Sequence, residues 1–78
     1  MPTLFIFFGI RFYFNSDEHL PIHIHIQNAD GKAKFNVYPE IELVYNKGMK
    51  IKDLNLAEKI IYENKDIIIT RWNEYHSY

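Results

Sequence analysis

Two matched alternations, separated by four residues, constrain this chain more than anything else in it. In Ile22-His23-Ile24-His25-Ile26-Gln27, isoleucines hold every second position and polar side chains the positions between. After Asn28-Ala29-Asp30-Gly31 the pattern resumes: Ala33, Phe35 and Val37 alternate with Lys34, Asn36 and Tyr38. A strand sends successive side chains to opposite faces, so each segment reads as a half-buried strand and the polar link as a hairpin loop. Pairing Gln27 with Lys32 sets Ile26 opposite Ala33, Ile24 opposite Phe35 and Ile22 opposite Val37. The same register sets His25 opposite Lys34 and His23 opposite Asn36. A slip of one residue would turn every isoleucine to water, so the register is strongly specified.

The flanking segments fill in the fold. Leu4 to Phe7 and Ile10 to Asn15 are β-branched and aromatic, split by Gly9, which suits a tight turn. In the second, Ile10, Phe12 and Phe14 alternate with Arg11, Tyr13 and Asn15. A polar loop closed by Pro21 leads to the hairpin, and a further strand over roughly Glu40 to Tyr45 follows Pro39 and ends at Asn46-Lys47-Gly48. From about Ile51 the period becomes helical, with a stripe of Leu54, Ala57, Ile60, Ile61, Asn64, Ile67, Ile68, Trp72 and Tyr75. Asn55 with Glu58 matches a capping box, with a start one turn earlier as the alternative. Ile67-Ile68-Ile69-Thr70 has strand propensity, but Asp66 before it and the continuing stripe favour helix. Asn64 marks a break or kink. The expectation is one α+β domain over 1–78. An antiparallel sheet of about four strands occupies 1–45, and a C-terminal helix or kinked helix pair over 51–76 packs on one face.

Composition sets limits on function. The net charge of -1 provides no global pull towards nucleic acid or an anionic membrane. There is no cysteine, which excludes disulfides and thiolate metal sites. Six Phe, six Tyr and one Trp supply large buried area to a short chain. Cores of this size still contribute only about 3–5 kcal/mol, so binding a small partner protein or a second copy of the chain would add needed stability. The apolar opening of eight residues lacks a basic leader and is interrupted by Arg11, too short for a signal segment or a membrane span. The chain therefore reads as cytoplasmic. No glycine-rich phosphate loop or nucleophile elbow is present.

Several features together resemble a known bacterial family, domain of unknown function 4160. They are the opening Met1-Pro2-Thr3 with Phe7-Phe8-Gly9, the segment Glu18-His19-x-Pro21-x-His23-x-His25, and Glu63-Asn64 followed by Trp72. The resemblance spans essentially the whole chain, and the proline–histidine segment is its most specific part. Family members often carry two prolines before His-x-His, where this chain has Pro21-Ile22. The resemblance implies helix over Ile67 to Thr70. It also implies a toxin–antitoxin setting with a small cognate protein partner, because such genes often sit beside another small gene.

The chemistry concentrates around the histidines. His23 and His25 leave one strand on the same face, and His19 lies just across Pro21 on a loop that could fold back beside them. By the strand pattern Arg11, Tyr13, Lys34 and Asn36 share that face, a constellation suited to an anionic ligand. Three readings stand side by side. In the first, this is a polar sheet face whose histidines merely meet solvent. In the second, His23, His25 and His19 are acid–base catalysts on an RNA phosphodiester, with Arg11 and Lys34 stabilising charge and no cofactor required. In the third, the three histidines hold a divalent metal, with Asp17 or Glu18 as fourth ligand or hydrogen-bond partner. Lys47, Lys50 and Lys52 form a basic connector, read as solvated rather than as a phosphate contact. Trp72 and Tyr75 are expected in the core, while His76 and Tyr78 lie where packing is least assured. The function expected is a toxin–antitoxin-type domain acting on or binding RNA through the histidine-bearing face. The competing class is a non-catalytic protein-interaction or metal-binding module.

Overall fold

Alternation and turn chemistry together lay out the strands. The structure, a computed structural model, describes residues 3–15 and 19–76. Within them run β1 (Thr3–Phe7), β2 (Ile10–Tyr13), β3 (His23–Gln27), β4 (Lys32–Asn36) and β5 (Glu42–Lys47), followed by helices α1 (Ile51–Glu63) and α2 (Lys65–His76). The strands form a single antiparallel sheet in the order β1-β2-β3-β4-β5. This is the expected α+β architecture, with five strands where about four were anticipated. Asp17, Glu18 and Tyr78 lie outside the described residues. Among those described, no helix is long and apolar enough to cross a membrane.

Each turn has a local cause. Phe7 pairs with Ile10, and the two residues between them, Phe8 at φ 53° and Gly9 at φ 75°, are both left-handed. A two-residue hairpin turn of that hand matches the natural twist of the strands it joins. At the next hairpin, Asn28 Oδ1 accepts from the backbone N–H groups of Asp30 (3.0 Å) and Gly31 (3.2 Å), an Asx turn. Gly31 is obligatory for a different reason: a Cβ there would collide with the carbonyl oxygen of Lys47. Residues 38–40 bend, and pairing with the last strand resumes at Asn36 and Glu42, so β5 begins two residues later than the sequence suggested.

The central register is the expected one, with His23 opposite Asn36, Ile24 opposite Phe35, His25 opposite Lys34, Ile26 opposite Ala33 and Gln27 opposite Lys32. Val37 N–H donates to the Ile22 carbonyl at 2.8 Å, which carries the pairing one step further. One sheet face therefore presents Ile10, Phe12, Ile24, Ile26, Ala33 and Phe35, all buried, to the helices. Leu54, Ala57, Ile60 and Ile61 of α1, with Ile68 and Trp72 of α2, close the same core. Both outer strands carry a bulge: Leu4 is the extra residue in β1 and Val44 in β5.

The helices depart from the sequence reading in two ways. Asn55 and Glu58 form no capping box; they lie inside α1, which starts at Ile51 with Lys50 as N-cap and no side-chain cap. Entry is fixed instead by Asn46, whose Oδ1 accepts from Met49 N–H (3.0 Å) while its Nδ2 donates to the Met49 carbonyl (2.9 Å). Ile67 to Thr70 is helical as expected, because tertiary packing overrides β-branched propensity. The break at Asn64 rephases the stripe, however. Ile68 is fully buried and Ile67 is 54% exposed, and Trp72 is followed on the inner face by His76 rather than by the exposed Tyr75.

Candidate functional site

The face opposite the core can be read as rows of directly paired residues. Arg11, Gln27, Lys32 and Lys47 make one row, and Tyr13, His25, Lys34 and Tyr45 the next. His23, Asn36 and Glu42 make the third. Alternation thus brings together Arg11, Tyr13, His23, His25, Lys34 and Asn36, as the sequence anticipated. It also adds Lys32, Tyr45, Lys47 and the acidic Glu42, which were not assigned to this face. Lys32 could have been found, because its pairing with Gln27 already fixes its side. Lys47 and Tyr45 depend on where β5 lies, and Lys47 belongs to that strand rather than to the connector.

The two ends of the face differ in access. Tyr13, His23 (3% exposed) and His25 (7% exposed) are buried, whereas Arg11, Lys34, Asn36 and Tyr45 are half-buried and Lys32 and Lys47 exposed. Ring-on-ring contact makes the closed end. Arg11 Cζ lies 4.3 Å from the Tyr13 ring centre, and its Nε donates to Thr3 Oγ1 at 2.7 Å. Tyr13 stacks on His25 at 5.4 Å, and His25 meets His23 edge-on at 5.3 Å. His23 in turn meets Trp72 at 4.9 Å, and Trp72 lies 3.9 Å from His76. Trp72 also packs edge-on against Phe14. It therefore sits over the end of the sheet where β2 finishes and β3 begins, and there α2 covers His23.

Hydrogen bonds fix both imidazoles. A carbonyl can only accept, so the 2.8 Å contact between His23 Nδ1 and the Pro21 carbonyl places a proton on that nitrogen. The Asn15 side-chain amide, its Nδ2 3.1 Å from His25 Nε2, forms a hydrogen bond that orients the His25 ring. His19 is exposed on the connecting segment. Among the described residues no group of three or more His, Asp or Glu is placed to hold a metal ion, and Asp17 and Glu18 lie outside them. The alternation of Arg11, Tyr13 and Asn15 already put Asn15 on the side of His25, whereas the orienting role of Trp72 had no sequence signal, because it lies in α2, far along the chain from His23.

A cleft of about 470 Å³ lies elsewhere, between the start of β1 and the last turns of α2. Its lining of Thr3, Leu4, Phe14, Arg71, Glu74 and Tyr75 includes none of the expected site residues. Of the connector lysines, Lys50 is paired with Asp30 at 3.8 Å and Lys52 is exposed.

No curated protein and no solved structure matches the chain significantly. Residues 9–73, from the turn glycine of the first hairpin to just beyond Trp72, match the family described as Domain of unknown function (DUF4160). That span takes in β2 to β5, both helix cores and the whole proline–histidine segment, and the chain belongs to this family.

Proposed function

We propose that this chain is an RNA-binding domain of toxin–antitoxin type, acting with a small partner protein, in which His23 and His25 shape the binding face rather than transfer protons. One observation carries the reading. In a chain of net charge -1, Arg11, Lys32, Lys34 and Lys47 gather on one sheet face with Tyr13 and Tyr45 between them. Cations interleaved with aromatic rings on an open sheet are the features by which such surfaces hold an unpaired strand of RNA. Burial of both imidazoles favours binding over catalysis, because a phosphodiester cannot reach rings so covered unless the covering groups move.

The test is incubation of the purified protein with labelled single-stranded RNA, with and without chelator. Saturable binding of intact RNA, weakened by Lys34→Ala and indifferent to chelator, is the expected result. Cleavage that disappears in His25→Gln would replace this reading with the catalytic one. A second reading, protein interaction, draws on the tip of the first hairpin, where Ile6, Phe7 and Phe8 are exposed side by side. Capture of a cognate protein, lost on Phe8→Ser with RNA binding retained, would identify it.

A further inference from the structure

Resting on that reading, we infer that the ligand is a single strand of RNA lying across the β-strands at the β4–β5 end. Its phosphates would be held by Lys32, Lys47 and Lys34, and one base stacked on Tyr45. The first reason is electrostatic. Lys32 and Lys47 are directly opposite one another on neighbouring strands, and Lys34 lies one pleat along from Lys32. Adjacent strands are about 4.8 Å apart, and like charges placed opposite one another destabilise a sheet. Lys50, near this end, is paired with Asp30. Among the described residues no carboxylate pairs with Lys32, Lys34 or Lys47. A phosphate between Lys32 and Lys47 would turn the repulsion into two charge-assisted contacts.

The second reason is the ring beside them. Tyr45 pairs with Lys34, and the Lys47 ammonium lies 5.3 Å from its ring centre. Tyr45 is half-buried, so its ring is held by the sheet while part of it remains accessible. A base stacked there would have its flanking phosphates beside Lys47 and Lys34. A duplex keeps its bases paired and stacked inside, which leaves no base for Tyr45 and only the backbone for the lysines. The surface therefore selects for an unpaired strand. The closed, ring-packed end around His23 and His25 forms a wall at the other end of the row and sets the direction in which the strand can run.

Fluorescence anisotropy of a short labelled RNA, single-stranded and as its matched duplex, over a series of potassium chloride concentrations tests this. Three phosphate contacts on a single strand give a slope of log K against log salt of about -2. Lys32→Ala and Lys47→Ala should each make the slope shallower by about 0.7 and weaken all sequences alike. Tyr45→Leu should cost roughly ten-fold in affinity at unchanged slope. The duplex should bind more weakly than the single strand. If wild type binds RNA but the lysine variants keep its slope, or the duplex binds as tightly, this path is wrong while the RNA reading stands. If wild type binds no RNA under any of these conditions, the RNA reading itself falls and this path with it.

Discussion

Replacing Trp72 with phenylalanine separates two effects that act in opposite directions at one position. Trp72 is fully buried, and its indole N–H is a donor with no acceptor among the described residues. Truncation to alanine removes the ring that joins Phe14, His23 and His76, at a cost of about 3–5 kcal/mol, which is typical for a buried tryptophan. A core of this size supplies about that much in total, so Trp72→Ala should be largely unfolded. Phenylalanine retains one ring and forfeits packing worth on the order of 1–2 kcal/mol. It also removes a buried unsatisfied donor, whose desolvation costs about 1–3 kcal/mol in the native protein. The terms nearly cancel, and Trp72→Phe should fall within about 1 kcal/mol of the parent. Urea unfolding followed by far-ultraviolet circular dichroism is the appropriate assay, because the substitution removes the protein's lone tryptophan. A loss beyond about 3 kcal/mol for Trp72→Phe would refute the reasoning, since it would mean the N–H has a partner that stabilises the fold.

Two further substitutions test the backbone and the helix phase. Gly31→Ala should lower the urea midpoint by the equivalent of about 2 kcal/mol or more, because its Cβ collides with the Lys47 carbonyl and nearby backbone of Gly48; an unchanged midpoint would show that the β5 end shifts freely. Ile68→Ala should cost about 2–5 kcal/mol and Ile67→Ala no more than about 0.5 kcal/mol. Equal losses at the two positions in parallel melts would mean that α2 is phased differently.

What the sequence revealed and what it hid divide along the range of the forces involved. The isoleucine–histidine alternation reports a neighbour-to-neighbour property, the side of the sheet to which a residue points. Hence the register from Gln27–Lys32 to His23–Asn36 could be read directly. Whether a residue on that side is accessible depends on groups from distant parts of the chain. Nothing near His23 in the sequence announces that Trp72 covers it, or near His25 that the Asn15 amide bonds to its ring. The helical stripe misled at its far end for a similar reason. A single period was carried through Asn64, whereas the chain restarts its helix there and shifts the inner face from Tyr75 to His76. Lys47 joins the face because the bend over 38–40 delays the last strand by two residues relative to the pattern in the sequence.

The bulges at Leu4 and Val44 bear on what happens when many copies of this protein are crowded together. Every sheet that does not close into a barrel has two open margins, and here both margins are the irregular strands. The run Leu4-Phe5-Ile6-Phe7-Phe8 has no charged side chain to deter another molecule from adding its own strand. An extra residue twists the strand and puts its free N–H and C=O groups out of step with a straight newcomer. Leu4 turns inward against the core as it does so, which ties the irregularity to the folded state. The shape of the margin therefore takes the place of charge in limiting growth of the sheet, and that protection lasts only as long as the first strand stays docked.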